Sequence, residues 1–196
     1  RFFRQRQGAL RADPFAAGVR AFAEPLGASP SVAAMIAGWT DGVVGSHDYE
    51  QENLRLSATI LAIASQQIEP NLRSVTIVDW ALHKRWIGIC GASRAMLAAC
   101  LLANANREIP VDIALLATPD EIHQAVAWGL AIRLCRRLTG LAPQLFSSAE
   151  LSRGEVELVL TLAPPVVALA TDVVEKDLKL LAEHLSLRPV IQHRPL

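Results

Sequence analysis

Ile122, Val126, Leu130, Leu134 and Leu138 recur at four-residue spacing, and that period predicts one long helix. Thr118-Pro119-Asp120-Glu121 opens it as a capping box with Pro at the first helical position, and Gly140 stands where a left-handed C-cap belongs. Arg133, Arg136 and Arg137 crowd its last turns, which suits the negative end of the helix dipole. Upstream, Asp13-Pro14 and Ser29-Pro30 each pair a side-chain acceptor with a Pro and open two short helices, ending near residues 26–27 and 39–42. A third helix over 49–67 carries Leu54, Ala58, Leu61 and Ser65 along one side, with Glu50 and Glu52 in its first turn. Residues 75–86 and 93–104 read as two more helices, and 107–110 as a connection.

After Gly140 the period changes. Residues 144–149 read as a strand, Ser152-Arg153-Gly154 as a turn, and the alternation from Glu155 to Leu160 as the hairpin partner. Pro164-Pro165 breaks that strand. Residues 172–187 form an amphipathic helix with Val174, Leu178, Leu181 and Leu185 on one face, and 190–192 a final short strand. The expected fold is mostly α with a small α+β part: a helical domain over 1–112, then a β-hairpin and helix domain over 113–196.

Composition narrows the function classes. The chain is 52% hydrophobic and 19% charged, enough apolar material for a real core, and aromatics are scarce. Formal net charge is zero, so no global field draws in nucleic acid or an anionic membrane. No apolar run reaches the ~18 residues that a bilayer span requires. Cys90, Cys100 and Cys135 are odd in number and far apart, and read as free thiols in a reducing cytoplasm. The chain opens Arg-Phe-Phe-Arg without Met, which is expected of a piece of a longer protein. Arg1, Arg4, Arg6 and Arg11 then read as a linker from preceding domains.

The segment LRLSATILAIASQQIEPNLRSVTIVDWALHKRWIGICGASR, residues 54–94, resembles the helical region of the exopolyphosphatase / guanosine pentaphosphate phosphohydrolase (Ppx/GppA) family in its alphaproteobacterial form. DPFAAGVRAFAE and MIAGWTDG resemble the two short helices before that region. AVAWGLAIRLCRRLTG, the hairpin and EKDLKLLAEHLSLRPVIQ resemble the elements after it. The resemblance implies a degenerate HD-like helical domain, because the family's metal ligands fall here on Ile63, Glu69 and Cys90-Gly91. Only His83 stands where the family often has a His. It further implies a C-terminal, non-catalytic region whose parent hydrolyses polyphosphate or guanosine pentaphosphate. Catalysis and Mg²⁺ would belong to N-terminal actin-like domains. This region would contribute homodimer contacts and hold a polyphosphate tail.

Few side chains here suggest chemistry of their own. Asp79 and His83 lie one helical turn apart and read as an ordinary i,i+4 contact. His47, His123, His184 and His193 share no metal-ligand spacing. Asp41-Gly42-Val43-Val44-Gly45 follows no expected strand and reads as a helix-ending turn. Trp39, Trp80, Trp86 and Trp128 read as packing residues. Arg73, Lys84, Arg85 and Arg94 form the basic set beside the family's cleft, and are the expected contacts to a polyphosphate chain. No metal or other cofactor is expected in this chain itself. Self-association is expected through helical surface, since Arg153, Glu155 and Glu157 place charges on the hairpin's edge.

Overall fold

A computed structural model describes residues 13–45 and 48–194. The basic run at Arg1, Arg4, Arg6 and Arg11, and His47, lie outside them.

Asp13 accepts a hydrogen bond from the Phe15 amide at 2.9 Å and starts α1 (Pro14–Ala23). A 3₁₀ turn follows and ends on Gly27 at φ 76°. α2 (Pro30–Val44) and α3 (Tyr49–Ala64) come next, and a 3₁₀ turn extends α3 to Gln67. α4 (Pro70–Leu82) begins at Pro70, earlier than the hydrophobic period implied, because the proline supplies a ready first helical residue. α5 (Gly91–Asn104) is buried from Ala95 to Asn104 and sits at the centre, flanked by α3, α4 and α7. α6 (Val111–Ala114) is a single turn within the segment expected to be a connection and its sequel. α7 (Pro119–Thr139) carries the full Thr118–Glu121 capping box and ends on Gly140 at φ 57°.

The long helix α7 crosses α5 at Gly129. A Cβ added there would overlap the Cys100 carbonyl oxygen and stand 2.8 Å from the Ala103 Cβ. Glycine therefore sets the spacing of the two central helices. The expected boundary at 112/113 falls between these two helices, which share one continuous apolar core running from Phe15 to Ala182.

Residues 143–148, expected to be largely strand, form a 3₁₀ turn, and β1 (Ala149–Arg153) follows it. Only Ala149 and Leu151 alternate as buried residues in β1, so pairing rather than local period decides its place. β1 pairs antiparallel with β2 (Glu157–Leu162), placing Leu151 opposite Leu160. After α8 (Pro164–Val167), α9 (Asp172–His184) crosses over and β3 (Arg188–His193) pairs parallel with β2. The sheet order is β1-β2-β3. Glu157, expected on a free edge, is therefore in the middle strand, 2.7 Å from Arg188 of β3.

The indole N–H groups tie elements together. Trp39 donates to the Ala149 carbonyl at 2.8 Å, linking α2 to the sheet, and Trp128 donates to Val44 at 3.1 Å, linking α7 to α2. Trp86 donates to Trp80, and Phe22 meets both rings edge-on at 5.1 and 5.6 Å between centroids. Among the described residues, no helix is long and apolar enough to cross a membrane.

Candidate functional site

The four cations expected to meet a phosphate chain are divided by α4. Arg73 sits in its first turns and donates Nη2–H to the Ile68 carbonyl at 3.0 Å. Lys84 and Arg85 lie beyond its other end, roughly 16 Å away at 1.5 Å per residue. Lys84 holds its ammonium 4.1 Å from the centroid of the Phe22 ring. Arg94 reaches back from α5 and donates Nη1–H to the carbonyls of Ala81, Leu82 and Lys84 at 3.1, 3.1 and 2.9 Å. Those are carbonyls at the end of α4, so this guanidinium serves as a C-terminal cap. Arg85 is exposed.

At the positions where the resemblance implied lost metal ligands, Ile63 is buried, Glu69 is the N-cap residue of α4, and Cys90 is the N-cap residue of α5. His83 Nδ1 lies 3.3 Å from Asp79 Oδ1 on an exposed surface. Among the described residues, no three His, Cys, Asp or Glu side chains group as metal ligands.

A different set of charges converges where α7 packs against α9. Asp177 of α9 is fully buried, with Arg133 Nη2 at 2.9 Å from Oδ1 and Arg137 Nη1 at 3.2 Å from Oδ2. These contacts are close but poorly directed: neither Asp177 oxygen meets hydrogen-bond geometry, and Arg133 Nε and Nη1 have no partner. Arg133 is itself only 6% exposed. Arg136 and Arg73 each bury an unpartnered Nε. Arg136 is pushed down to about 10, first by burial and then by the neighbouring charges of Arg137, Arg73 and Arg133. Asp177 opposes that shift.

Arg55 shows what a satisfied buried arginine looks like in the same fold. It is 1% exposed and takes Glu52 at both Nε and Nη2, at 2.8 and 2.5 Å. Thr40 Oγ1 accepts from Nη1 at 2.7 Å, and the Ala37 carbonyl accepts from both Nη atoms at 3.2 Å.

The sequence carried a signal for the second cluster. Asp177 interrupts the apolar stripe of Val174, Leu178 and Leu181, and a carboxylate on a buried face requires a cationic partner. Arg133, Arg136 and Arg137 stand at i, i+3 and i+4, so they share one face of α7 with that partner in reach. Reading them only as dipole complements missed this.

The helical surface has an apolar opening of its own. Val75, Val78, Leu102 and Pro110 line a groove of about 550 Å³ between α4 and the segment after α5, with Asp79, Arg107 and Glu108 also lining it. Val75, Val111 and Leu115 are 72%, 74% and 79% exposed, and Leu72 and Leu116 are exposed as well. Compared with known proteins, the chain matches no family model and no curated protein sequence.

Proposed function

We propose that this chain is a non-catalytic accessory region of an exopolyphosphatase-like phosphohydrolase, and that it works by pairing with a second copy through the face formed by α4 and α6. The single observation that carries the reading is an apolar groove lined by Val75, Val78, Leu102 and Pro110, with Leu72 on α4 and Val111, Leu115 and Leu116 in the segment after Pro110 exposed as well. Large apolar openings of this kind mark interaction surfaces more often than idle ones. The groove also brings Asp79 and Glu108 near Arg107, so a two-fold arrangement sets acid against base across the pair. Ile63 and Cys90-Gly91 at former ligand positions, with the resemblance over 54–94, support a role other than catalysis.

A pure protein-interaction module with no phosphate role is the second reading. It is favoured by Lys84 and Arg94, which spend their charges inside the fold.

Sedimentation at micromolar concentration tests the pairing. A dimer that survives high salt is expected, because apolar contacts are not screened. A Val75→Asp, Leu115→Asp double variant should be a folded monomer. A monomer at every concentration, or a double variant that still pairs, overturns the reading.

A further inference from the structure

The two edges of the sheet are treated differently. β1 packs against α2, and its outward Ala149 carbonyl takes the Trp39 indole N–H at 2.8 Å. β3 is the other edge, and no strand among the described residues pairs with its far side. Its parallel ladder to β2 uses alternate residues: Arg188 N–H donates to the Val156 carbonyl at 2.9 Å, and Arg194 N–H to the Leu162 carbonyl at 2.8 Å. The N–H and C=O groups of Ile191 and His193 therefore point away from the sheet, as does the Pro189 carbonyl. Proline at 189 costs the fold no ladder bond, which is why an edge strand tolerates it there. The strand's cations do not guard the edge either. Arg188 pairs with Glu157 at 2.7 Å and Arg194 with Glu150 at 3.1 Å, both back across the sheet.

A groove of about 480 Å³ runs beside this edge, with Leu178 of α9 and Pro189 and Ile191 of β3 as its apolar floor. Asp172, Glu175, Lys176 and Lys179 also line it, and their spacing makes them one stripe of α9. α9 leads into β3 through residues 185–187, so helix and strand run in opposite directions. The two acids thus stand toward the His193 end of the groove and the two lysines toward the Pro189 end. The register puts Pro189 and Ile191 on the same face as Leu158 and Leu160, the face that packs on α9. A residue placed opposite Ile191 on a fourth strand would enter the groove.

We propose that β3 and α9 form a docking site for an extended peptide segment of another protein, which joins the sheet as an antiparallel fourth strand. Backbone hydrogen bonds to Ile191 and His193 hold it, and an aliphatic side chain opposite Ile191 fills the groove. Antiparallel order brings the residue two places earlier to Asp172 and Glu175, and the residue two places later to Lys176 and Lys179. The matching pattern is therefore basic, any, aliphatic, any, acidic. A second copy of β3 fits less well, because two-fold pairing about Ile191 sets Arg188 against Arg194. The site does not depend on pairing through α4 and α6.

Fluorescence anisotropy of a labelled Thr-Lys-Thr-Leu-Thr-Glu-Thr peptide, titrated with the full chain, tests the proposal. Saturable binding is expected below about 1 mM. Methylating the leucine N–H, which faces Ile191, should weaken binding about tenfold, whereas methylating the N–H of the next threonine, which faces away, should not. His193→Pro removes an edge donor that the fold does not use and should bring a similar loss. Should His193→Pro fail to fold, the two methylated peptides still decide. The reversed peptide, Thr-Glu-Thr-Leu-Thr-Lys-Thr, should bind about threefold more weakly, and a Glu175→Lys, Lys179→Glu double variant at these exposed positions should lose that preference. No saturable binding, equal loss from both methylations, or a reversed peptide that binds the parent chain as tightly overturns the proposal. So does a dimer of the parent chain that His193→Pro dissolves, which would assign the edge to a second copy.

Discussion

His123 and His184 stack with ring centroids 4.0 Å apart and planes inclined by 19°. Each donates its Nε2–H to the other's main-chain carbonyl, at 2.9 and 2.8 Å. A carbonyl only accepts, so the proton of each neutral ring is on Nε2 and Nδ1 is the basic atom. The pair clasps the start of α7 to the end of α9. Burial lowers the pKa of His184, its hydrogen bond to His123 opposes this, and repulsion from a charged His123 adds to the lowering. The unfolded chain therefore binds this proton more readily. The clasp's contribution is fully present above the ordinary histidine value of about 6.5 and is lost as pH falls below it. Urea midpoints should decline between about pH 6.5 and 5, and His184→Gln should flatten that decline.

The α5–α7 crossing leaves no room for a methyl group at Gly129. Gly129→Ala should cost about 1–3 kcal/mol by forcing the two helices apart. Gly38, in the exposed interior of α2, has nothing within 4 Å of an added Cβ, and Gly38→Ala should stabilise by about 0.5–1 kcal/mol. Opposite signs in chemical denaturation are the expected result.

Removing the Asp177 carboxylate should be severe. Asp177→Asn leaves Arg133 buried with no anion, and the expected loss is about 3–5 kcal/mol. Denaturation midpoints of the parent and variant chains check the size of the loss.

The three thiols should react at very different rates. Cys90 is exposed at the start of α5, and its hydrogen bond from Ser93 lowers its pKa. Burial pushes Cys100 up to about 12 and raises Cys135 as well. A native chain treated with a thiol-specific chromogen should show one fast equivalent, abolished by Cys90→Ser. Unfolding should release the other two.

The helices were legible because their caps are local. Asp13, the Thr118–Glu121 box, Gly27 and Gly140 all stand where the chain pattern put them. The strand at 144–149 failed because β1 has two alternating buried residues, and only its register against β2 places it. The basic set failed to converge for a similar reason. Nothing near Arg94 in the sequence says that its guanidinium will cap α4, or that Lys84 will lie over Phe22. Trp39 meets a carbonyl from a residue far along the chain, and no period announces such a contact.

The two pairings of β2 require very different amounts of chain. β1 reaches it through a tight turn, while the Glu157–Arg188 contact spans 31 residues and awaits α9. Closing the longer loop costs more entropy, and its reward comes only once α9 has docked. During folding the hairpin should form early, with the third strand joining in a later step. Until then the Leu158–Leu160–Leu162 strand is an open edge. Mixtures held near the midpoint of unfolding should therefore be most prone to strand exchange at this place, and a charge on the exposed side of β3 should not prevent it.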